Sequence, residues 1–400
     1  MQEQQLLTIN AGSSSLKFAV YRMGAAGPVA GLRGQIAGIG QGGTKLDLIP
    51  GDQATPAWPF DPAAIDSHQS ALRLLIDRLG LRDQPQEWLG IGHRIVHGGT
   101  IFTHPVVLTE PDIAALEGLT ALAPLHQPHN VGAIKALRAM LPRMPQVGCF
   151  DTAFHAGNPE RVTRFALPEK YWRQGIRRYG FHGLSYEAIL ARLQREKMTI
   201  PPRLVIAHLG NGASLAAIRE GAGLATTMGF STLDGLVMGT RPGIIDPGVL
   251  LHLLHQGMNA AELEALLYRD SGLLGLSGFS ADMKTVSHSD LPQAKLAIDI
   301  YCHRVAVELG RLAAELQGLD MLIFTGGVGE NADEIRARIA GEAGWLGITL
   351  DETANAKARQ VTRIETISRP GSLPVLVIPT DEEGVIARHC LKLLHSGTRA

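Results

Sequence analysis

Apolar positions along the chain fall into short continuous runs and longer stretches of helical spacing, and their order sets out the elements. Residues 6–20, LLTINAGSSSLKFAV, are an apolar run, a turn of small residues and a second apolar run, which predicts two strands joined by a tight glycine turn. Residues 204–218, LVIAHLGNGASLAAI, repeat that plan, with Leu6 matching Leu204 and Gly12 matching Gly210. The repeat opens each half of the chain, so the halves are expected to share one architecture. In the first half, 67–79 and 110–122 carry helical spacing, whereas 88–96 and 146–150 read as strands. In the second, the helical stretch 290–316 leads into an apolar strand at 321–324. Residues 325–331, TGGVGEN, then read as a glycine turn feeding a helix from near Ala332. A buried strand at 374–378 and a helix at 384–394 complete the pattern, which is α/β. No low-complexity linker interrupts it, so a short hinge is expected near 151–157.

Four hundred residues exceed one comfortable core, which argues for two lobes. Apolar residues make up 45% and charged residues 19%, the balance of a chain that buries sizeable cores rather than of a disordered one. Thirty-seven basic against 38 acidic residues leave a net charge of -1, so no field draws in a polyanion and nucleic acid is not expected as a partner. Cys149, Cys302 and Cys390 lie far apart and suggest neither a disulfide framework nor a thiolate metal site. The N-terminal segment lacks a basic start and a long apolar stretch, and no run approaches the ~18 residues of a membrane span. A cytoplasmic chain without a membrane partner is therefore expected.

The candidate chemistry sits in three glycine turns, each directly after an apolar strand. Such turns expose backbone N–H groups and let phosphate oxygens approach closely. Residues 10–17 add hydroxyls and Lys17; residues 208–214, HLGNGAS, add His208 and Asn211; residues 325–331 precede a helix, whose dipole favours an anion. Together they predict a cradle for nucleotide phosphates. Gly38 to Gly43 match GxGxxG formally, yet residues 44–49 read as a strand where a dinucleotide-binding unit needs a helix. No GxxxxGK[ST] is present, which removes the P-loop class. Arg94 in GHRIVHGG and Arg241 in MGTRPG are flanked by glycine and suited to bidentate recognition of carboxylate or phosphate. His93, His97, His126 and His129 have ligand-like spacings, but there is no HExxH, and Pro128 is expected to break the helical face that zinc ligation would need. His182 in YGFHGLS reads as a donor to an anionic ligand. Asp151 and the Glu382–Glu383 pair follow predicted strands, where one or two acids suffice for magnesium.

Taken in order, NAGSSSLKF, GHRIVHGG, APLHQPHN, FDTAFH, RRYGFHG, HLGNGAS, MGTRPG, FTGGVGEN and PTDEE closely resemble the acetate kinase family of short-chain acyl kinases over nearly the whole chain. The resemblance implies an α/β, duplicated ribonuclease-H-like fold of the actin/Hsp70/sugar-kinase kind, with two lobes and a nucleotide cleft between them. The division expected is 1–152 plus 384–400 for the N-terminal lobe and 153–383 for the nucleotide-binding lobe. It further implies a homodimer, Mg²⁺ or Mn²⁺, ATP and ADP as co-substrates, and in-line phosphoryl transfer to acetate or another short-chain carboxylate. Carried over, Arg94 and Arg241 hold carboxylate and phosphoryl group, Asp151 orients the carboxylate or serves the metal, and His182 and His126 donate in the transition state. Asn10 and Glu382 position the metal. Lys17, His208, Asn211, Gly212, Asp282, Lys284, Gly327, Gly329 and Asn331 belong to the nucleotide, while Val96, Leu125, Phe181 and Thr232 line the acyl pocket.

Three positions depart from the family pattern. Thr232 replaces a proline, Lys284 replaces an arginine near the expected adenine site, and Asp381 replaces an asparagine, adding a charge beside the metal site. An Hsp70-like or actin-like binding module would share the fold and ATP site without needing Arg94 and Arg241. A dinucleotide-dependent oxidoreductase would rest on the glycines at 38–43 alone.

Overall fold

The computed structural model describes residues 4–24, 27–49 and 58–396. The chain divides into one unit that runs to Phe154 and resumes at Asp381, and a second, His155–Thr380. The crossing falls inside the 151–157 stretch. Asp381, Glu382 and Glu383 accordingly belong to the first unit, whereas the expected division placed them in the second lobe.

The first unit is built on a seven-stranded sheet: β1 (Gln5–Ala11), β2 (Ser15–Gly24), β3 (Gly27–Ala37), β4 (Lys45–Ile49), β5 (Trp88–Ile95), β6 (Val106–Val107) and β7 (Gln146–Phe150). The spatial order is β4-β3-β2-β1-β5-β7-β6. β1 to β4 form an antiparallel meander, and β1, β5 and β7 run parallel. The second unit carries β8 (Arg203–Leu209), β9 (Ala213–Arg219), β10 (Ala222–Thr226), β11 (Met321–Thr325), β12 (Glu365–Thr366) and β13 (Val375–Val377), ordered β10-β9-β8-β11-β13-β12. There β8 pairs antiparallel with β9 and parallel with β11, which in turn runs parallel to β13. Stripped of β4, β6 and β12, the two sheets have one topology. The two matching hairpins of the sequence are thus the first hairpins of a duplicated fold.

Alternation along the strands covers both faces of the first sheet. Leu7, Ile9, Phe18, Val20 and Ile91 pack against Leu72, Leu75 and Ile76 of the helix His68–Leu79 and Leu137 of the helix Gln127–Met140. Gly92, next to Ile91 and on the opposite face, has no room for a side chain: a Cβ there would meet Ile386 at 2.4 Å and Cys390 at 2.6 Å. Both belong to the helix Glu382–Ser396, so Gly92 sets how closely that helix, with Glu382 at its start, lies on β5. In the second unit the helix Pro292–Leu316 buries Ala297, Tyr301, Val305, Leu309, Leu312 and Leu316 along one stripe.

Three expectations change in detail. Residues 326–331 are themselves a short helix, Gly326–Asn331, because Gly326 takes the left-handed φ of 79° that turns the chain directly off β11. The helix expected over 110–122 ends at Gly118, with a 3₁₀ turn at Thr120–Leu122. Pro128 does not interrupt a helix; it sits in the first turn of Gln127–Met140, where its missing N–H has no intrahelical partner to lose.

Candidate functional site

In the first unit the charged groups gather at the ends of parallel strands. Arg94, beside Cys149 in the β5–β7 register, donates from Nε to both Asp151 oxygens at 3.1 and 3.2 Å and from Nη2 to Oδ2 at 2.7 Å. Glu382 Oε2 lies 3.6 Å from Nε. Burial alone would favour a neutral guanidinium, but the Asp151 and Glu382 carboxylates outweigh it and push the Arg94 pKa up. Asp151 is 1% exposed and engaged by Arg94 through Nε and Nη2, which leaves Nη1 outside the pair. Asn10 and Lys17 are register partners across β1 and β2 and therefore share a face of the sheet. Val96 is buried; Leu125 and His126 are half-buried, His126 being the residue that opens the helix Gln127–Met140.

The histidines with metal-like spacings serve separate bonds. His93 Nε2 bonds the Gln146 side chain at 2.8 Å, and His97 Nδ1 accepts the Gly99 N–H at 2.9 Å. Among the described residues no group of three or more His, Cys, Asp or Glu side chains forms a metal cage. Magnesium needs none: one carboxylate and an amide oxygen, completed by water and phosphate oxygens, suit it, and Glu382 with Asn10 is a donor set of that chemistry. The charge that Asp381 adds is compensated, since Oδ1 accepts from Arg33 Nη2 at 3.1 Å and from the Gly384 N–H at 3.3 Å. Glu383 is held above the usual carboxylate range by burial and by Glu382.

In the second unit the site forms around Gly212. A Cβ at Gly212 would lie 2.9 Å from Arg241 Nη2 and 3.3 Å from His182 Nε2, so the bare backbone is what lets both approach the turn. Arg241 donates from Nη1 to the Thr232 carbonyl at 2.9 Å and forms no ion pair among the described residues. Burial draws its pKa down to about 10, with only a small opposing pull from Tyr268. Burying a charge is costly unless it is paired, which sets Arg241 apart from Arg94. His182 holds a left-handed backbone (φ 58°, ψ 22°) ahead of the helix Gly183–Arg195, and its ring stacks on His208 with centroids 4.3 Å apart. Gly239 is equally constrained, since a Cβ there would fall 2.1 Å from Asn211 Oδ1. Phe181 is 1% and Thr232 9% exposed.

At the end of β11, Gly327 is open, whereas Gly329 packs against Phe324 and the Ala207 carbonyl. Asn331 has both ends of its amide occupied, donating to the Gly327 carbonyl and accepting from Gln360 N, each at 2.9 Å. Asp282 caps the helix Met283–Ser287 by accepting from Thr285 N at 2.8 Å, and Lys284 is exposed.

Several residues with a hold on these groups were not singled out from sequence. Asn130 ties the Val96 N–H to the Ala11 carbonyl (3.0 and 2.8 Å), and His68 Nε2 donates to the Gly12 carbonyl at 2.7 Å. Ser214 and Ser185 bond Nδ1 of His182 and His208, both at 2.8 Å. Glu330 accepts from the N–H groups of Gly326 and Thr380. Arg336, fully buried, donates to the Gly329 carbonyl. The available signal was nearness in sequence: Ser185 and Ser214 lie in the same glycine motifs as the histidines.

Two sheets of one topology thus carry glycine turns at strand ends, with Arg94 paired to Asp151 and Arg241 without an ion pair among the described residues. The sequence profile described as the Acetokinase family matches residues 5–388. An acetate kinase of Rhodopseudomonas palustris is 48% identical over 398 residues, covering 98% of this chain and 99% of its own. Among solved structures, a propionate kinase from Francisella tularensis superimposes with a TM-score of 0.88 at 33% identity, over 98% of this chain and 100% of its own. Porphyromonas gingivalis acetate kinase does so with a TM-score of 0.84 at 35% identity, again over 98% and 100%. The chain belongs to the acetokinase family, enzymes that transfer a phosphoryl group from ATP to a carboxylate.

Proposed function

We propose that this enzyme transfers the ATP γ-phosphoryl group reversibly to acetate, with propionate as a secondary substrate, giving acetyl phosphate and ADP by direct in-line displacement. The observation that carries this reading is the Arg241 guanidinium, desolvated and without an ion pair among the described residues, brought with His182 to the bare backbone of Gly212. Acetate is ionised at neutral pH and needs no general base. The protein's task is positioning and charge neutralisation, with no covalent step on a side chain. Arg94, fixed by Asp151, presents Nη1 to the carboxylate, while Arg241, His182 and His126 meet the oxygens of the transferring group. Lys17, His208, Asn211 and Gly212 follow the phosphates; Gly327, Gly329, Asn331, Asp282 and Lys284 serve the nucleotide side. Val96, Leu125, Phe181 and Thr232 contact the acyl methyl. Asn10 and Glu382 hold Mg²⁺ or Mn²⁺, which supplies neutralisation of phosphate charge.

We also propose a cytoplasmic homodimer. No helix among the described residues is long and apolar enough to cross a membrane. The helix Pro247–His255 buries none of its residues and exposes Val249, Leu251 and Leu254, a face suited to a second copy. Light scattering of the purified chain tests the dimer: a monomeric mass at micromolar concentration would refute it. The activity is tested by trapping acyl phosphate with hydroxylamine. Mg²⁺- and ATP-dependent hydroxamate is expected with acetate, and its absence with acetate, propionate and butyrate alike would overturn the reading.

A further inference from the structure

His182 and His208 are held by a reciprocal exchange between one helix and one hairpin. His182, at the start of the helix Gly183–Arg195, bonds through Nδ1 to Ser214 of β9; His208 of β8 bonds through Nδ1 to Ser185 in the first turn of that helix. His208 and Ser214 are direct register partners across the hairpin, which brings the two bonds side by side and stacks the rings. Each serine has a second hydroxyl at hydrogen-bond distance: Tyr186 Oη for Ser214, and Thr380 Oγ1, at 2.9 Å, for Ser185. Ser185, Ser214 and Tyr186 are all 0% exposed. With Nδ1 engaged, Nε2 faces the glycine turn: 3.3 Å from the Cβ position of Gly212 for His182, and 3.8 Å from that of Gly210 for His208.

Two imidazolium rings stacked this closely would repel, so the arrangement favours neutral rings, each carrying a single N–H. A neutral ring donates from Nε2 only if Nδ1 accepts, and a serine hydroxyl that itself accepts from a tyrosine or threonine hydroxyl is free to donate to Nδ1. We propose that Ser214, backed by Tyr186, and Ser185, backed by Thr380, are positioning residues that lock His182 and His208 as Nε2–H tautomers. The turn Gly210–Gly212 thereby gains two uncharged ring donors aimed at phosphate oxygens. This rests on the reading that His182 acts at the transferring phosphoryl group.

The test is histidine-selective ¹⁵N labelling of the full chain with long-range ¹H–¹⁵N correlation at pH 7.5, assigned by His182→Gln and His208→Gln. Both rings are expected as neutral Nε2–H tautomers. Ser214→Ala should give a tautomer mixture at His182 while leaving His208 unchanged, and lower kcat about tenfold, the order of one lost hydrogen bond. KM for acetate and ATP should move less than about twofold, and Ser214→Thr, which keeps the hydroxyl, should restore kcat. Nδ1–H tautomers in the unsubstituted enzyme, or Ser214→Ala with unchanged kcat, would overturn the proposal. The tautomer measurement needs no variant at residue 214, so a Ser214→Ala chain that fails to fold leaves the test intact. His182→Ala separates the two readings: full activity there would remove the phosphoryl assignment itself, whereas its loss beside an unaffected Ser214→Ala removes only the serine lock.

Discussion

Arg241 Nη2 lies 2.9 Å from the point that a Cβ on Gly212 would occupy, so the smallest side chain at residue 212 must displace the guanidinium or the turn. The clashing atom is the far end of a long side chain, which yields at little cost to the fold. It does not yield without cost to alignment, because a displacement of about 1 Å is worth up to about 10²-fold in rate. Gly212→Ala is expected to lower kcat about 10²-fold with a melting temperature close to that of the parent. A variant that turns over at the parental rate would show that Arg241 does not work from this position.

The two arginines should separate stability from activity. Each is expected to contribute about 10³-fold or more to kcat, about 4 kcal/mol of barrier. Arg94→Ala also removes the three hydrogen bonds that Arg94 gives to Asp151, 1% exposed, and breaking such a buried pair costs about 3–5 kcal/mol of stability. Arg241→Ala removes a desolvated cation that has no ion pair among the described residues, and its stability should hold or rise. Calorimetry beside steady-state kinetics checks both halves. Equal destabilisation by the two substitutions would contradict the electrostatic difference between them.

Stability should fall in mild acid for a reason separate from the site. Burial draws the pKa values of His93, His97 and His155 down to about 4, far below that of an exposed histidine. The unfolded chain then binds more protons than the folded one between pH 6.5 and 4, so stability declines as pH falls through that window and is fully present above it. Each histidine contributes about 3 kcal/mol at most, at 1.36 kcal/mol per unit. His97→Asn supplies an amide oxygen in place of Nδ1 to accept the Gly99 N–H, and should flatten the pH dependence of the melting temperature by one proton. An unchanged slope would mean that His97 does not titrate in this range.

What the sequence disclosed follows from the range of each interaction. Strands with continuous apolar runs and helices with strong periodicity were legible, because burial on both faces or on one stripe writes itself into spacing. The strand at 146–150 and the helix stop near residue 316 are of this kind. The hairpin repeat was legible for the same reason. The helicity of Gly326–Asn331 was not, since glycine composition signals a turn and only the neighbouring strand ends, with Glu330 holding the Gly326 N–H, make it helical. Arg94 and Arg241 stood out through their glycine neighbours. That one is paired and the other not depends on Asp151 and Glu382, distant in sequence from Arg94, and no local pattern records it. Asp381 was legible only as an added charge; Arg33, far off in sequence on β3, pairs with it.

Base selectivity is expected to be loose. Lys284 is exposed, and the neighbouring Asp282 carboxylate is committed to Thr285 N and Oγ1. An ammonium on a flexible stem stacks on a purine less well than a planar guanidinium. ATP and GTP should therefore differ by less than about tenfold in kcat/KM, and Lys284→Arg should widen the gap toward ATP. A preference of about a hundredfold in the parent would assign selectivity to other residues.

Acyl preference is expected to turn on Thr232, a threonine where the family pattern has proline. Its carbonyl accepts from Arg241 Nη1 at 2.9 Å, and the residue is 9% exposed. Its branched side chain, a methyl and a hydroxyl on one carbon, has roughly the bulk of the missing ring. A methylene in such a pocket is worth about 1–3 kcal/mol, or 10–200-fold. Acetate should lead propionate in kcat/KM near the low end of that range, with butyrate poorer still. Proline retains the carbonyl that Arg241 uses, so Thr232→Pro alters the wall while leaving the guanidinium anchored. The variant should keep kcat for acetate within about threefold and shift the acetate-to-propionate ratio upward, because the fixed ring cannot rotate aside for the extra methylene. Propionate outperforming acetate in the unsubstituted enzyme would move the substrate assignment to propionate. An unchanged ratio in Thr232→Pro would place the selecting wall at Val96, Leu125 and Phe181 instead.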